Sequence, residues 1–123
     1  MSYNNEIVAV GSIAFDSIES PKGKRNRILG GSATYFGIAA SLFAKVHLIG
    51  VVGEDFTEKE WSLFKKYNID TKSIEVATGN TFSWGGIYNK DFSSRKTIFT
   101  NLGVFEHFIP SINNKFNSPI LYY

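Results

Sequence analysis

Short apolar runs broken by glycines and polar turns dominate the chain, and their lengths sort them into strands and helices. Ile7-Val8-Ala9-Val10, closed by Gly11, is a continuous β-rich run that predicts a strand over Glu6 to Val10, covered on both faces as in a parallel sheet. Ile13 to Ser20 alternates loosely and predicts a half-exposed strand that stops at Pro21. Lys22 to Asn26 reads as a polar turn, after which Arg27-Ile28-Leu29 returns toward Gly30-Gly31. From Ser32 or Thr34 onward, Tyr35, Phe36, Ala39, Ala40 and Phe43 recur at helical spacing. This predicts a helix capped by either hydroxyl and closed by Lys45. Val46 to Val52 predicts a second buried strand. Asp55-Phe56-Thr57-Glu58 has the form of a capping box, opening a helix with Phe56, Leu63, Phe64 and Tyr67 inward. Lys65-Lys66 sits in its last turn, and Asn68, which tolerates the left-handed conformation, ends it.

The second half is strand-rich. Ser73 to Val76 predicts a short strand, and Thr81 to Tyr88 places Phe82, Trp84 and Tyr88 on one face at period two. Asn89 to Ser94 is a polar connection, and Lys96 to Thr100 pairs back as a hairpin. Leu102 to Pro110 fits neither period. Ile120 to Tyr123 begins another apolar strand, where the sequence stops. A buried parallel strand is normally followed by a crossover helix, so this reads as a truncated α/β unit.

Composition narrows the function classes. A length of 123 residues with 43% hydrophobic and 20% charged positions fits one small domain with a real core. A formal charge of +2 argues against a dedicated nucleic-acid surface, which needs a clustered basic stripe. The one basic cluster, Lys22 to Arg27, reads better as a solvated loop or ribbon than as a phosphate patch. The absence of cysteine excludes disulfides and thiolate chemistry. Met1 to Glu6 lacks the features of a secretory signal, and the apolar stretch Tyr35 to Gly53 is interrupted by Lys45, His47 and glycines. The expectation is a soluble, cytoplasmic protein with neither membrane nor nucleic-acid partner. His47 and His107 have no partner at ligand spacing, so packing is expected of both and no metal site is expected.

Two features carry candidate chemistry. A glycine pair before a helix lets the backbone approach a ligand beside free N–H groups, although on its own Gly30-Gly31 fits a ligand-free turn as well. Asp16 lies just past the first strand, where open α/β sheets place ligands, and a carboxylate there accepts hydroxyl groups; the alternative is a turn-forming Asp. Gly50-Val51-Val52-Gly53 is too short for a dinucleotide fingerprint, which weakens a dinucleotide-binding reading.

Taken together, Val10-Gly11-Ser12, Asp16, Gly30 to Phe36 and Val46 to Phe56 resemble the N-terminal part of a ribokinase-like (PfkB) carbohydrate kinase. The resemblance covers nearly the whole chain. It implies a ribokinase-like three-layer α/β/α fold with a small β-sheet lid, drawn from about residues 13–29 and 81–100. The C-terminal nucleotide-binding half is absent from residues 1–123. It also implies that Asp16, Gly30 and Gly31 bind the substrate's hydroxyl face; the aromatic lid face of Phe82, Trp84 and Tyr88 either stacks on the substrate, Trp84 in particular, or packs in the core or a dimer seam. Tyr35 departs from the family, many of whose members carry asparagine there; its phenol either reaches a hydroxyl or packs. In the family Gly53-x-Asp55 is positional, so Asp55 is expected to be structural; the usual following glycine is Glu58 here. For the intact family enzyme the resemblance implies ATP and Mg2+ as cofactors, a sugar or nucleoside as substrate, and a homodimer formed through the lid. The family's base and anion site lie on a Gly-Ala-Gly-Asp segment that this sequence lacks, so no catalytic residue is expected. The expectation is therefore the substrate-binding half of an ATP-dependent sugar or nucleoside kinase. The alternative is an inactive remnant serving as a binding or assembly module.

Overall fold

The computed structural model describes residues 5–91, 93–111 and 120–122, the last three in backbone only. Met1 to Asn4 and Tyr123, at the two ends of the sequence reading, lie outside the described residues. Eight strands form two four-stranded sheets. The first consists of β1 (Glu6–Val10), β4 (Lys45–Val52), β5 (Asp70–Val76) and β8 (Ile120–Tyr122), in the order β5-β4-β1-β8 and wholly parallel. The second consists of β2 (Ala14–Ser20), β3 (Gly23–Gly30), β6 (Phe82–Tyr88) and β7 (Arg95–Asn101), in the order β3-β2-β6-β7. It is mixed, with β2 parallel to β6 and antiparallel pairs at each side.

Stepping from β1 to β4 to β5 moves in one direction across the first sheet. Right-handed crossovers then put both connecting helices, α1 (Ser32–Ala40) and α2 (Glu58–Lys66), on the same face. That face holds the main core: Ala9, Val46, Leu48 and Val52 from the strands meet Ala33 of α1, Phe64 of α2 and Phe15 of β2. The other face carries Val8, Val10 and Ile49 against Phe108, which follows a short 3-10 helix over Gly103–His107. The direction reverses at β1, where β8 pairs on the side away from β4.

Four local expectations are revised. Pro21 and Lys22 alone make the turn, and Gly23 to Asn26 belong to β3, because a strand at the edge of an exposed sheet has no buried face to demand apolar alternation. In α1 the buried positions are Ala33, Thr34 and Gly37, whereas Tyr35 is 55% and Phe43 80% exposed. Small residues set the face because the helix lies close on the sheet: a Cβ on Gly37 would sit 3.1 Å from Leu48. Neither Ser32 nor Thr34 caps this helix; Gly31 holds the N-cap position with no side-chain bond. Finally, the capping box at α2 is formed by Thr57 and Glu60, not Asp55 and Glu58. Glu60 Oε1 accepts from both the backbone N–H and the hydroxyl of Thr57, each at 2.7 Å. Asn68 does take the left-handed conformation, at φ 56°.

Candidate functional site

Asp16 leaves β2 on the face opposite Phe15, which is buried in the main core. Its carboxylate lies over Gly30, in the space a Cβ there would need, and Tyr35 Oη is 2.9 Å from that same point. Tyr35, in the first turn of α1, donates its hydroxyl to Asp16 Oδ2 at 3.1 Å. Burial lifts the Asp16 carboxyl above the usual carboxylate range, and the Tyr35 bond opposes part of that rise. The Tyr35 phenol is raised in turn by burial, by the charge and hydrogen bond of Asp16, and by Tyr88. It therefore stays protonated as the donor of the pair. One phenol satisfies only part of a carboxylate, which has about four lone-pair sites. The rest can accept hydroxyl groups from a ligand.

Trp84 is the register partner of Asp16 on β6, so both side chains leave the small sheet on one face. The indole lies along the strand over Gly86, where a Cβ would meet it, and the Arg95 guanidinium caps its ring at 5.1 Å from the centroid. Asp16, Gly30, Tyr35 and Trp84 are thus brought together. Gly31, which follows Gly30 directly, is fixed by its backbone. Its φ of 91° and ψ of 158° suit glycine alone, and a Cβ would lie 2.5 Å from the Ser12 carbonyl oxygen.

Sequence reasoning passed over the pair that fixes this corner. Ser12 N–H donates to Ser32 Oγ at 3.1 Å, and Ser32 N–H donates to Ser12 Oγ at 3.0 Å. Ala33 N–H donates to the Ser12 carbonyl at 2.9 Å. Two amides at the start of α1 are thereby committed to the loop after β1 rather than turned to a ligand. The signal was present only as two serines beside glycines, twenty positions apart. Asp55 likewise holds structure: Oδ1 accepts from the N–H and hydroxyl of buried Thr81, at 2.9 and 2.6 Å. His47 corrects the expectation that it lacks a partner, since its ring nitrogens lie 2.6 Å from Asp70 Oδ2 and 2.8 Å from Glu6 Oε1. That trio stands where β1, β4 and β5 begin, at the end of the sheet away from Asp16.

Among the described residues no three of His, Cys, Asp and Glu cluster to hold a metal ion, and the sequence offers no Gly-Ala-Gly-Asp segment. Nor is any described helix long and apolar enough to cross a membrane.

No protein-family profile matches the chain. A cytidine kinase from Thermococcus kodakarensis is 32% identical over 89 residues, covering 72% of this chain and 32% of that protein. Ribokinase from Cryptococcus neoformans in complex with ADP superposes with a TM-score of 0.77 at 16% identity, over 98% of this chain and 41% of the other. A nucleoside kinase from Burkholderia thailandensis in complex with inosine gives 0.69 at 18% identity, over 79% and 36%. The nucleoside kinase of Methanocaldococcus jannaschii, an archaeal member of the ribokinase family, gives 0.66 at 20% identity, over 87% and 40%. The chain spans about a third of the length of the curated relative it matches. It is thus built on the ribokinase-like fold, along part of the length of these kinases.

Proposed function

We propose that this chain supplies the acceptor side of an ATP-dependent phosphotransferase, binding the hydroxyl groups of a sugar or nucleoside. The observation that carries the reading is the Asp16 carboxylate, held over Gly30 by the Tyr35 hydroxyl with Trp84 on the same face of the small sheet. A half-desolvated carboxylate accepts vicinal hydroxyls, and an adjacent indole stacks on an apolar sugar face or a base. The inosine-bound and cytidine-named relatives favour a nucleoside as the ligand. Residues 14–30 and 82–101 would close over it as a lid, and lids could pair between two copies along their open edges. Without the Gly-Ala-Gly-Asp segment that carries the base and the anion site in the resembling family, this chain binds the acceptor and contributes no catalytic residue.

Calorimetric titration with cytidine, inosine and ribose tests the reading. Saturable binding of at least one of them, weakened about tenfold or more by Asp16→Ala, is the expected result, since a hydrogen bond to a charged group contributes about 1.5–3 kcal/mol. Binding indifferent to Asp16→Ala would overturn the assignment.

A further inference from the structure

The basic ribbon of β3 does not stand alone in solvent. Arg25 to Leu29 form one wall of a groove of about 780 Å³, and α2 forms the other with Lys59, Ser62, Leu63 and Lys66. Those four helical positions follow i, i+3, i+4, i+7 spacing, so one stripe of α2 faces the strand. The groove gathers Arg25, Arg27, Lys59 and Lys66 in a chain whose formal charge is only +2. Its one carboxylate, Glu60, is turned away into the helix cap, accepting from Thr57. Among the described residues no carboxylate lies within 4.0 Å of a nitrogen of Arg25, Lys59 or Lys66; Arg27 alone has one, Asp55 at 3.9 Å.

Like charges on two elements facing across a concavity repel, and the arrangement is relieved by an anion between them. Arg27 is held for such a role: its guanidinium lies 4.1 Å from the centre of the Phe15 ring and donates to the Asp55 carbonyl. Leu29 and Leu63 give the groove an apolar floor. The cations are divided between the two walls, Arg25 and Arg27 on β3 and Lys59 and Lys66 on α2, so a ligand with several linked phosphates can meet both.

We propose that the β3–α2 groove is a binding site for an oligophosphate chain, separate from the Asp16 site. Phe15 and Leu29, register partners on β2 and β3, mark the face of the small sheet that looks toward α2, and Asp16 leaves by the other face. The proposal does not depend on the acceptor reading.

Isothermal titration of the whole chain at low ionic strength, without divalent cations, provides the test. The probes are inorganic tripolyphosphate and ATP, compared across wild type, Lys59→Gln/Lys66→Gln, and Lys90→Gln/Lys96→Gln, which removes equal charge from the exposed tip of the small sheet. Tripolyphosphate should bind wild type saturably, lose about tenfold or more in affinity in the groove variant, and change by less than about twofold in the tip variant. Equal affinities for the two probes would mean that phosphates alone are read; tighter binding of ATP would mean that the apolar floor takes the base. Both outcomes support the site. Equal weakening in the two variants, or no binding to wild type, would overturn it. Circular dichroism of each variant secures the comparison, and Lys59→Arg/Lys66→Arg, expected to restore binding, serves if the glutamine variant unfolds.

Discussion

Gly30 and Gly31 are neighbours in sequence but are needed for different reasons. At Gly31 the backbone itself forbids a side chain, both by its dihedral angles and by the Ser12 carbonyl. At Gly30 the obstacle is the end of the Asp16 side chain and the Tyr35 hydroxyl, which can move. Gly31→Ala should therefore destabilise the protein by about 1–3 kcal/mol or more in urea unfolding, the cost of strain in a glycine-only region. Gly30→Ala should leave the unfolding midpoint nearly unchanged while displacing Asp16 and weakening acceptor binding. Equal destabilisation by both would contradict this division. Asp16 adds a second contrast. Its folded carboxyl titrates above the unfolded value of about 3.9, so the native state holds the proton more tightly. The penalty for ionising it is absent below about 3.9, grows as pH rises through the folded value, and is complete above it. Asp16→Asn should therefore gain stability relative to wild type as pH rises across that window, in denaturant midpoints measured from pH 3 to 8, even as acceptor binding is lost.

At the scale of elements, what could be read from the sequence followed burial. β1 and β4 stood out because both faces of a central parallel strand are covered, which leaves an uninterrupted apolar run. The edge strand β3 was half hidden, since an exposed ribbon of Lys and Arg has no apolar period and looks like a turn. In α1 the aromatic positions suggested an inner face, yet close packing on the sheet reserves that face for Ala33, Thr34 and Gly37. Asp16 and the glycine pair could be marked because each has local character, a carboxylate after a strand and a glycine turn before a helix. Their meeting, and the long-range partners of Ser12, His47 and Asp55, depend on separations of 19 to 41 positions that only the folded chain closes. The link at Thr81 illustrates the point. Its buried hydroxyl donates to Asp55 and accepts from the Gly53 N–H at 2.9 Å, joining the α2 approach to the start of β6. Thr81→Val would leave the Gly53 N–H without its acceptor and Asp55 with only the Thr81 N–H, and should cost about 1–3 kcal/mol, read as a lowered urea midpoint with an unchanged slope.

Taken as one body, the chain builds a well-buried parallel sheet and a more exposed mixed sheet attached to it by a few chain crossings. The loop after β1 is clasped by Ser12 and Ser32, the entry to α1 is fixed by Gly31, and the segment before β6 is knotted at Thr81. Beyond those points the small sheet thins outward until β7, all seven of whose residues are exposed and which pairs only with β6. This gradient sets a timetable for solvent to reach the backbone. In native-state hydrogen–deuterium exchange the Thr81 amide, buried and bonded to a carboxylate, should outlast its neighbours, whereas the β7 amides should exchange by local opening well below the cost of global unfolding. Uniform protection from Thr81 through Asn101 would mean that both sheets open as one unit. The expected staircase would mean that the small sheet can part from the core strand by strand, leaving Asp16 and Trp84 on its slowest steps.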